Sequence, residues 1–390
     1  MNLILFDDSR REHLLPLSYT RPIAEFRIGI LTIREKWEKH LGLKASFLCE
    51  SYLEKKFPLI KTDSNLLISG TILPDEMLVK QINGLNPGQA IEYQEELIAI
   101  RCAENISLDK ADYEVKVYES ELLRINNLWD IFDLNDKALR SDFTLLTKGR
   151  KSADISPDNK IIGNDFFAEE GAIAYNAIFN TTTGPIYLAK DSEVWEGSVI
   201  RGPFSLGEHS IVKLSAKIYG ATTVGPESRV GGEVNNSVIF GFSNKGHDGF
   251  LGNSVIGEWC NIGADSNNSN LKNNYAEVKL WNYPKQGFVS TGLQFCGLIM
   301  GDHSKCGINT MFNTGTVVGV SSNIFGSGFP RNFIPSFSWG GAQGITEYKL
   351  EKAAETAEKV MERRHIAFDE TEQKLLSDVH RLTATYRQGG

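Results

Sequence analysis

The chain has 390 residues, 41% of them hydrophobic, and a formal charge of −8 from 41 basic and 49 acidic side chains. That length exceeds what one hydrophobic core usually supports, so at least two domains are expected. The acidic balance argues against a general nucleic-acid surface while leaving room for local basic pockets, and no apolar run approaches the ~18 residues that span a bilayer. Neither nucleic acid nor membrane is therefore expected as a partner. The first residues carry no charged n-region or cleavage pattern, so a cytoplasmic protein is expected. Cys49, Cys102, Cys260, Cys296 and Cys306 are odd in number and lack metal-ligand pairing. They read as buried free thiols of a reducing compartment, not as disulfides or zinc ligands.

Residues 1–115 alternate short apolar strands with polar helical stretches: Leu3 to Phe6, Ile30 to Leu41, Ala45 to Leu48, Leu66 to Ile68 and Glu76 to Ile82. The pattern predicts an α/β domain. Residues 116–160 form a connector with an aromatic segment, Leu128-Trp129-Asp130-Ile131-Phe132, and a Ser-Pro-Asp-Asn turn cluster at 156–159.

From 161 to 335 a six-residue period takes over. Leu188, Val194, Ile200, Leu206, Val212, Ile218, Val224 and Val230 recur every six, as do Met300, Cys306, Phe312, Val318 and Ile324. Four positions after most anchors sits a small residue, such as Ser192, Ser198, Ser210, Ala216, Thr222 and Ser228, then Ser304, Thr310, Thr316 and Ser322; Phe204 is the exception. An apolar anchor with a small corner residue every six predicts a parallel β-helix, whose coils must stack to bury their apolar faces. An amphipathic helix is excluded, because six matches neither 3.6 nor 3.5 and Gly and Ser are too frequent. Residues 345–388 then turn rich in Glu, Lys and Ala, with Leu375, Val379, Leu382 and Tyr386 spaced by four, three and four. They predict an amphipathic helical tail packed on the β-helix or on a neighbouring subunit.

The period fails after Val230 and again over residues 266–274, and breaks in a solenoid carry loops. His209 and His303 occupy the fourth place of ordinary hexads, where an exposed surface role is the default, whereas His247 sits in the break beside Lys245 among glycines. Two roles are open to it: a general base, or a hydrogen-bonded structural histidine. Lys245, Lys272 and Lys279 flank the break and are either phosphate ligands or solvated surface charges.

The run Lys245-Gly-His247-Asp-Gly-Phe250-Leu-Gly-Asn-Ser-Val-Ile-Gly-Glu-Trp-Cys-Asn261-Ile-Gly-Ala-Asp265-Ser266-Asn-Asn-Ser-Asn270 resembles the signature of the bifunctional glucosamine-1-phosphate N-acetyltransferase and N-acetylglucosamine-1-phosphate uridylyltransferase family. The resemblance implies a left-handed parallel β-helix, acetyl-CoA as co-substrate, and a homotrimer. It implies His247 as general base, with Lys245, Phe250, Asn261, Asn270 and Lys272 at the amino-sugar phosphate and Lys279 and Lys305 at acetyl-CoA. Phe250 replaces the family's tyrosine and so lacks its hydroxyl, and Asp265-Ser266 replaces Gly-Thr. The segment from Met300 to Thr310 is similar to the archaeal branch, in which a β-helix coil closes the site from a neighbouring subunit.

Leu14-Leu-Pro16-Leu17-Ser-Tyr-Thr-Arg21-Pro22, followed by Gly29-Ile-Leu, resembles the opening of sugar-phosphate nucleotidyltransferases over about thirty residues. The family's glycine-rich triphosphate loop is replaced by Asp7-Asp-Ser-Arg-Arg-Glu-His13, and Ile23 stands where a lysine is expected. The resemblance makes Arg10, Arg11 and Arg21 the candidates for binding UTP, with Asp7 and Asp8 holding Mg2+. The whole chain resembles the variant, Bacteroidetes-type branch, with a shortened nucleotidyltransferase domain. Two alternatives stand beside it: an acyltransferase of different sugar specificity, and a nucleotidyltransferase whose β-helix is a scaffold or regulator.

Overall fold

In the computed structural model, which describes residues 1–387, the chain forms two compact units. Unit one comprises Met1–Leu14, Thr20–Phe26 and Leu31–Asn127; unit two comprises Leu15–Tyr19, Arg27–Ile30 and the chain from Leu128 onward. Residue 388, the last of the expected tail, lies outside the described residues.

In unit one, segments of four to seven residues form strands β1 (Asn2–Phe6), β2 (Ala45–Leu48), β3 (Asn65–Ser69), β4 (Gln89–Tyr93), β5 (Glu96–Cys102) and β6 (Glu114–Val117) of one sheet, ordered β2-β1-β3-β5-β4-β6, the first three of them apolar runs. β2, β1 and β3 run parallel, and β5 turns the sheet antiparallel. Leu3, Ile4 and Leu5 are all buried, as befits a parallel strand covered on both faces. Helix α1 (Ile33–Leu41) starts where Thr32 and Glu35 form a reciprocal capping box and stops at Gly42, whose φ of 65° takes the left-handed C-cap without a Cβ penalty. A second helix, α2, spans Glu76–Asn83. β4 and β5 are joined by Gln94 and Glu95, with φ of 50° and 68°. Positive φ at both residues is the geometry of a tight hairpin turn, and it is reached here without the usual Asn-Gly signal.

In unit two, helices α3 (Asp130–Asp133) and α4 (Asn135–Thr147) precede a three-sided, left-handed parallel β-helix with sheets of six, nine and ten strands. Equivalent positions recur every 18 residues: Glu193–Val194 pair with Ile211–Val212, which pair with Arg229–Val230. Every anchor from Leu188 to Val230 is buried, and so are the small corner residues and Phe204. The corner hydroxyls bond coil to coil. Ser210 donates to the Gly225 carbonyl at 2.8 Å and accepts the Ser228 amide at 2.9 Å; Ser304 does the same with Gly319 and Ser322. Ser and Thr at that position thus satisfy backbone groups that a turn would otherwise leave buried and unpaired.

One corner of each coil is a residue in the left-handed region: Asp191, His209, Glu227, Phe242, Trp259, His303, Ser321 and Phe337. Gly29, with φ of 77°, lies against α4, where a Cβ would come within 2.8 Å of the Ala138 carbonyl carbon. The tail is two helices, α5 (Leu350–Glu362) and α6 (Glu370–Leu382), with a final turn, α7 (Ala384–Arg387), and not one continuous helix. His365, with φ of 57°, and the Asp369 N-cap break it. Leu375 and Val379 are buried within this chain and Leu382 is 39% exposed, so the first two are not available to a neighbouring subunit. All five cysteines are free, Cys49 half-buried and the others buried. Among the described residues, no helix is long and apolar enough to cross a membrane.

Candidate active site

The coil after Val230 is shortened. Lys245 pairs beside Val230 after 15 residues, not 18, and so enters the inward column occupied elsewhere by Val194, Val212, Val230 and Cys306. Its side chain is 3% exposed. The ammonium bonds the carbonyls of Gly231 at 3.0 Å and His247 at 2.5 Å, and burial pushes its pKa down to about 8 against the pull of Asp248 and Asp265. Lys245 therefore does not face a substrate; it grips the loop that carries His247. The loop packs tightly on Gly232, where a Cβ would lie 2.7 Å from the Asp248 Cα and 2.8 Å from the His247 carbonyl. This leaves the exposed His247 ring at the surface of the ten-stranded sheet.

A cavity of about 830 Å³ opens there, bounded by that sheet and by Thr356, Val360, Arg363 and Arg364 at α5 and its end. His247, Asn261 and Lys305 line it together. Register explains the meeting: Asn244, Asn261 and Lys305 are lateral neighbours in three successive coils. Lys305 donates to the His303 carbonyl at 2.7 Å, and burial pushes its pKa down to about 8. An imidazole able to accept a proton and a primary amide able to donate to an oxyanion thus share one wall.

The other expected ligands form a second group. Phe250 and Asn270 meet over Gly252, where a Cβ would lie 2.4 Å from the Phe250 ring and 2.7 Å from the Asn270 amide, and Asn270 is bonded to Asn253 at 2.8 Å. Lys272 donates to the Glu277 carbonyl at 2.8 Å, and Lys279 is exposed on a hairpin of Lys279–Asn282 with Gly287–Ser290. That hairpin belongs to an insertion that stretches the step from Ile262 to Cys306 to 44 residues. Asn267 and Asn268, unmarked in the sequence, accept the amides of Phe250 and Gly252 with their side chains at 2.8 and 2.9 Å. They replace backbone pairing where the coil is broken.

In unit one, a pocket of about 680 Å³ lies past the C-terminal ends of β1 and β2, where parallel sheets bind ligands. Asp7 accepts the Ile23 amide at 2.8 Å and faces Arg11 Nε at 3.2 Å; burial raises its pKa to about 6. Asp8 accepts Ser69, Thr71 and Arg124 at 2.8, 3.0 and 3.1 Å. Arg10 is bonded to Asn126 and Glu96, Arg11 to Tyr52, and Arg21 is buried. Held by arginines and hydroxyls, Asp7 and Asp8 do not fit the magnesium role expected of them, and the described residues contain no cluster of three or more metal-ligating side chains.

The β-helix neighbours include an Arabidopsis UDP-N-acetylglucosamine acyltransferase, which is 16% identical with a TM-score of 0.25 and covers 60% of this chain and 81% of its own. A putative uncharacterized acetyltransferase, YaiX of Escherichia coli K12, is 23% identical over 39% of this chain and 66% of its own length. A bifunctional sugar-1-phosphate nucleotidylyltransferase/acetyltransferase of Sulfurisphaera tokodaii is 26% identical over 224 residues, 56% of this chain. The chain spans about half the length of that relative, 49%. Residues 3–151 match the family model described as Sugar nucleotidyl transferase, so the chain joins an N-terminal nucleotidyltransferase domain to a parallel β-helix.

Proposed function

We propose that this protein makes a nucleotide sugar in two steps: acetyl transfer from acetyl-CoA to the amine of glucosamine 1-phosphate on the β-helix, then uridylyl transfer from UTP to N-acetylglucosamine 1-phosphate on the N-terminal unit. The observation that carries the first step is the convergence of His247 and Asn261 on one cavity. The sugar amine attacks the thioester carbonyl, forming the C–N bond. His247 takes the amine's proton while Asn261 donates to the oxyanion. Collapse breaks the C–S bond, and the protonated imidazole returns its proton to the leaving thiolate.

The second step is supported by the family match over residues 3–151 and by the pocket past β1 and β2. Mg2+ would accompany UTP as its triphosphate complex. A cytoplasmic homotrimer is part of the same reading; its assembly is supported by the apolar neighbours Ile178 and Val199, 37% and 44% exposed on the six-stranded sheet.

The test is release of free thiol from acetyl-CoA in the presence of glucosamine 1-phosphate, run beside other amino-sugar phosphates. Selective release with glucosamine 1-phosphate is expected. Release only with another amino sugar would reassign the acceptor, and the missing hydroxyl at Phe250 makes that comparison worth running. No release with any of them would remove the acyl-transfer reading.

A further inference from the structure

A second cavity in unit two, of about 340 Å³, is built by stretches that are distant in sequence. The hairpin of the insertion supplies Trp281, the last coil Arg331 and Phe333, the strand Gly344–Glu347 supplies Ile345 and Glu347, and α7 supplies Tyr386. None of these residues lines the cavity beside His247. Trp281 stacks on Phe333, with centroids 4.1 Å apart and planes at 10°, and Tyr386 meets Phe333 edge to face at 6.2 Å. Trp281, Phe333, Ile345 and Tyr386 are all half-buried, so each keeps surface that the fold leaves uncovered. A wall rich in aromatic edges and faces favours a ligand that brings a ring of its own.

The polar groups of the wall are unequally matched. Glu347 bonds His380 Nε2 at 2.8 Å and pairs with Arg387 Nε at 3.2 Å, while the other two nitrogens of that guanidinium donate to the Thr383 hydroxyl and the His380 carbonyl, both at 2.8 Å. Arg387 is thereby satisfied. Arg331 is not: its guanidinium has no hydrogen-bond or ion-pair partner among the described residues. The indole N–H of Trp281 is buried and also lacks an acceptor among them. A buried donor left unmatched is costly and is expected to have an acceptor in the functional state. With Glu347 and Arg387 cancelling, the wall offers one positive charge and two unmatched donors, which a single carboxylate answers. A doubly charged phosphate would meet the Glu347 carboxylate in the same wall. The volume lies near the lower end of the ~300–1,000 Å³ usual for ligand sites, which suits a molecule smaller than a nucleotide.

We propose that this cavity binds a small aromatic carboxylate, its ring against Trp281, Phe333 and Tyr386 and its carboxylate drawn by Arg331, with the Trp281 N–H as second donor. Trp281 belongs to the insertion that also carries Asn270 and Lys272, so the occupant bridges that insertion to the last coil and the tail. The site does not depend on the acetyl-transfer reading.

The experiment is saturation-transfer NMR and titration calorimetry of the full chain with phenylacetate and indole-3-acetate, beside acetate, benzyl alcohol, benzylamine and phenyl phosphate. It is repeated with Arg331→Gln, Arg331→Lys, Trp281→Phe and His247→Ala. Both aromatic carboxylates should bind saturably, and acetate, the alcohol and the amine about tenfold or more weakly. Arg331→Gln should lower the affinity for the aromatic carboxylates about tenfold or more, Arg331→Lys should keep part of it, and added salt should weaken it. Trp281→Phe keeps a ring and removes the N–H, so affinity should fall several-fold; His247→Ala should leave it unchanged. Circular dichroism melting checks that the variants are folded. Absence of saturable binding by both aromatic carboxylates would overturn the site, as would equal affinity in wild type and folded Arg331→Gln. Equal binding of acetate would reduce it to an ion contact at Arg331, and tighter binding of phenyl phosphate would overturn the choice of anion. Loss of binding in His247→Ala would move the ligand to the other cavity and remove this one.

Discussion

The two units hold pockets of opposite character. The pocket past β1 and β2 is lined by Asp7, Asp8, Glu12, Glu50 and Glu54 with Arg11 as its single base, whereas the cavity beside His247 has five cations and no acid. Both regions are rich in arginine. In unit one, Arg10 and Arg11 are tied to carboxylates or to Asn126 and Tyr52, and Arg124 to Asp8 and Glu96. In unit two, Arg229 donates to the carbonyls of Glu227 and His209 at 2.8 and 3.4 Å, and the Glu227 carboxylate pairs more loosely with Arg229 and Arg364, at 3.9 and 3.7 Å. An arginine in a sequence is thus only a candidate for a phosphate; whether its charge is already matched decides its availability.

The largest effect that would sharpen this contrast is at His247. His247→Ala should lower acetyl transfer by about two to four orders of magnitude, the usual size of a general-base effect, and leave the melting temperature unchanged because the ring is exposed. Steady-state kinetics with acetyl-CoA and glucosamine 1-phosphate check it. Activity within a few-fold of wild type would remove the base.

Arg11→Ala tests the other pocket. It leaves Asp7 buried without its counter-charge, and since a carboxyl with a pKa of about 6 can escape by taking up a proton, unfolding in urea at neutral pH should show a loss of at most about 1.4 kcal/mol. The loss should shrink below pH 6, where the Asp7 carboxyl takes up a proton. A variant as stable as wild type that loses only UTP binding would instead restore Arg11 to the role of nucleotide ligand.

The difference between the regions also shows what could be read from the chain. The hexad anchors and their small partners were legible because an 18-residue coil imposes them at fixed steps, and Cys306 fell into place as an ordinary anchor. Strands β1 to β3 and helices α1 and α2 were legible from apolar runs and polar helical stretches. Strands β4 to β6 were not. Gln94 and Glu95 give no turn signal although both have positive φ, and β6 runs across the expected boundary at 115.

Within the site, His247 stands out by its place in the break and Asn261 by the resemblance, but Lys245, expected at the substrate, is inside the coil. Counting 18 from Val230 puts Asp248 in the inward column; only the loss of three residues from the coil puts Lys245 there. Nor could spacing show that Arg363 and Arg364, more than a hundred residues later, close the same cavity.

Lys245→Met therefore separates holding the loop from holding the substrate. Removing the ammonium relieves its desolvation but leaves the Gly231 and His247 carbonyls without their donor, two effects of about 1–3 kcal/mol each with opposite sign. Net stability should change by no more than about 1 kcal/mol. With the loop untethered, kcat should fall about tenfold while KM for glucosamine 1-phosphate moves little, because small displacements of a catalytic group weigh on the chemical step. A raised KM with unchanged kcat would mean that Lys245 meets the sugar phosphate after all.

The smallest effect is a pH dependence of stability carried by the same side chain. Burial lowers the Lys245 pKa from its usual 10.5 to about 8, so below pH 8 both folded and unfolded chains hold the proton and this group contributes no slope. Between about pH 8 and 10.5 the unfolded chain holds a proton that the folded chain has released, and stability must rise with pH, by at most about 1.4 kcal/mol per unit. Lys305 acts in the same sense. Buried thiols and phenols act in the opposite one: Cys49, Cys296 and Tyr52 are all pushed up to about 12, so they lose protons on unfolding in alkaline solution and stability falls. The absolute curve therefore mixes signs, and the quantity to measure is the difference between wild type and Lys245→Met in urea unfolding from pH 7.5 to 10. That difference should shift in favour of wild type as pH rises. A flat difference would place the Lys245 ammonium in contact with water and contradict its position inside the coil.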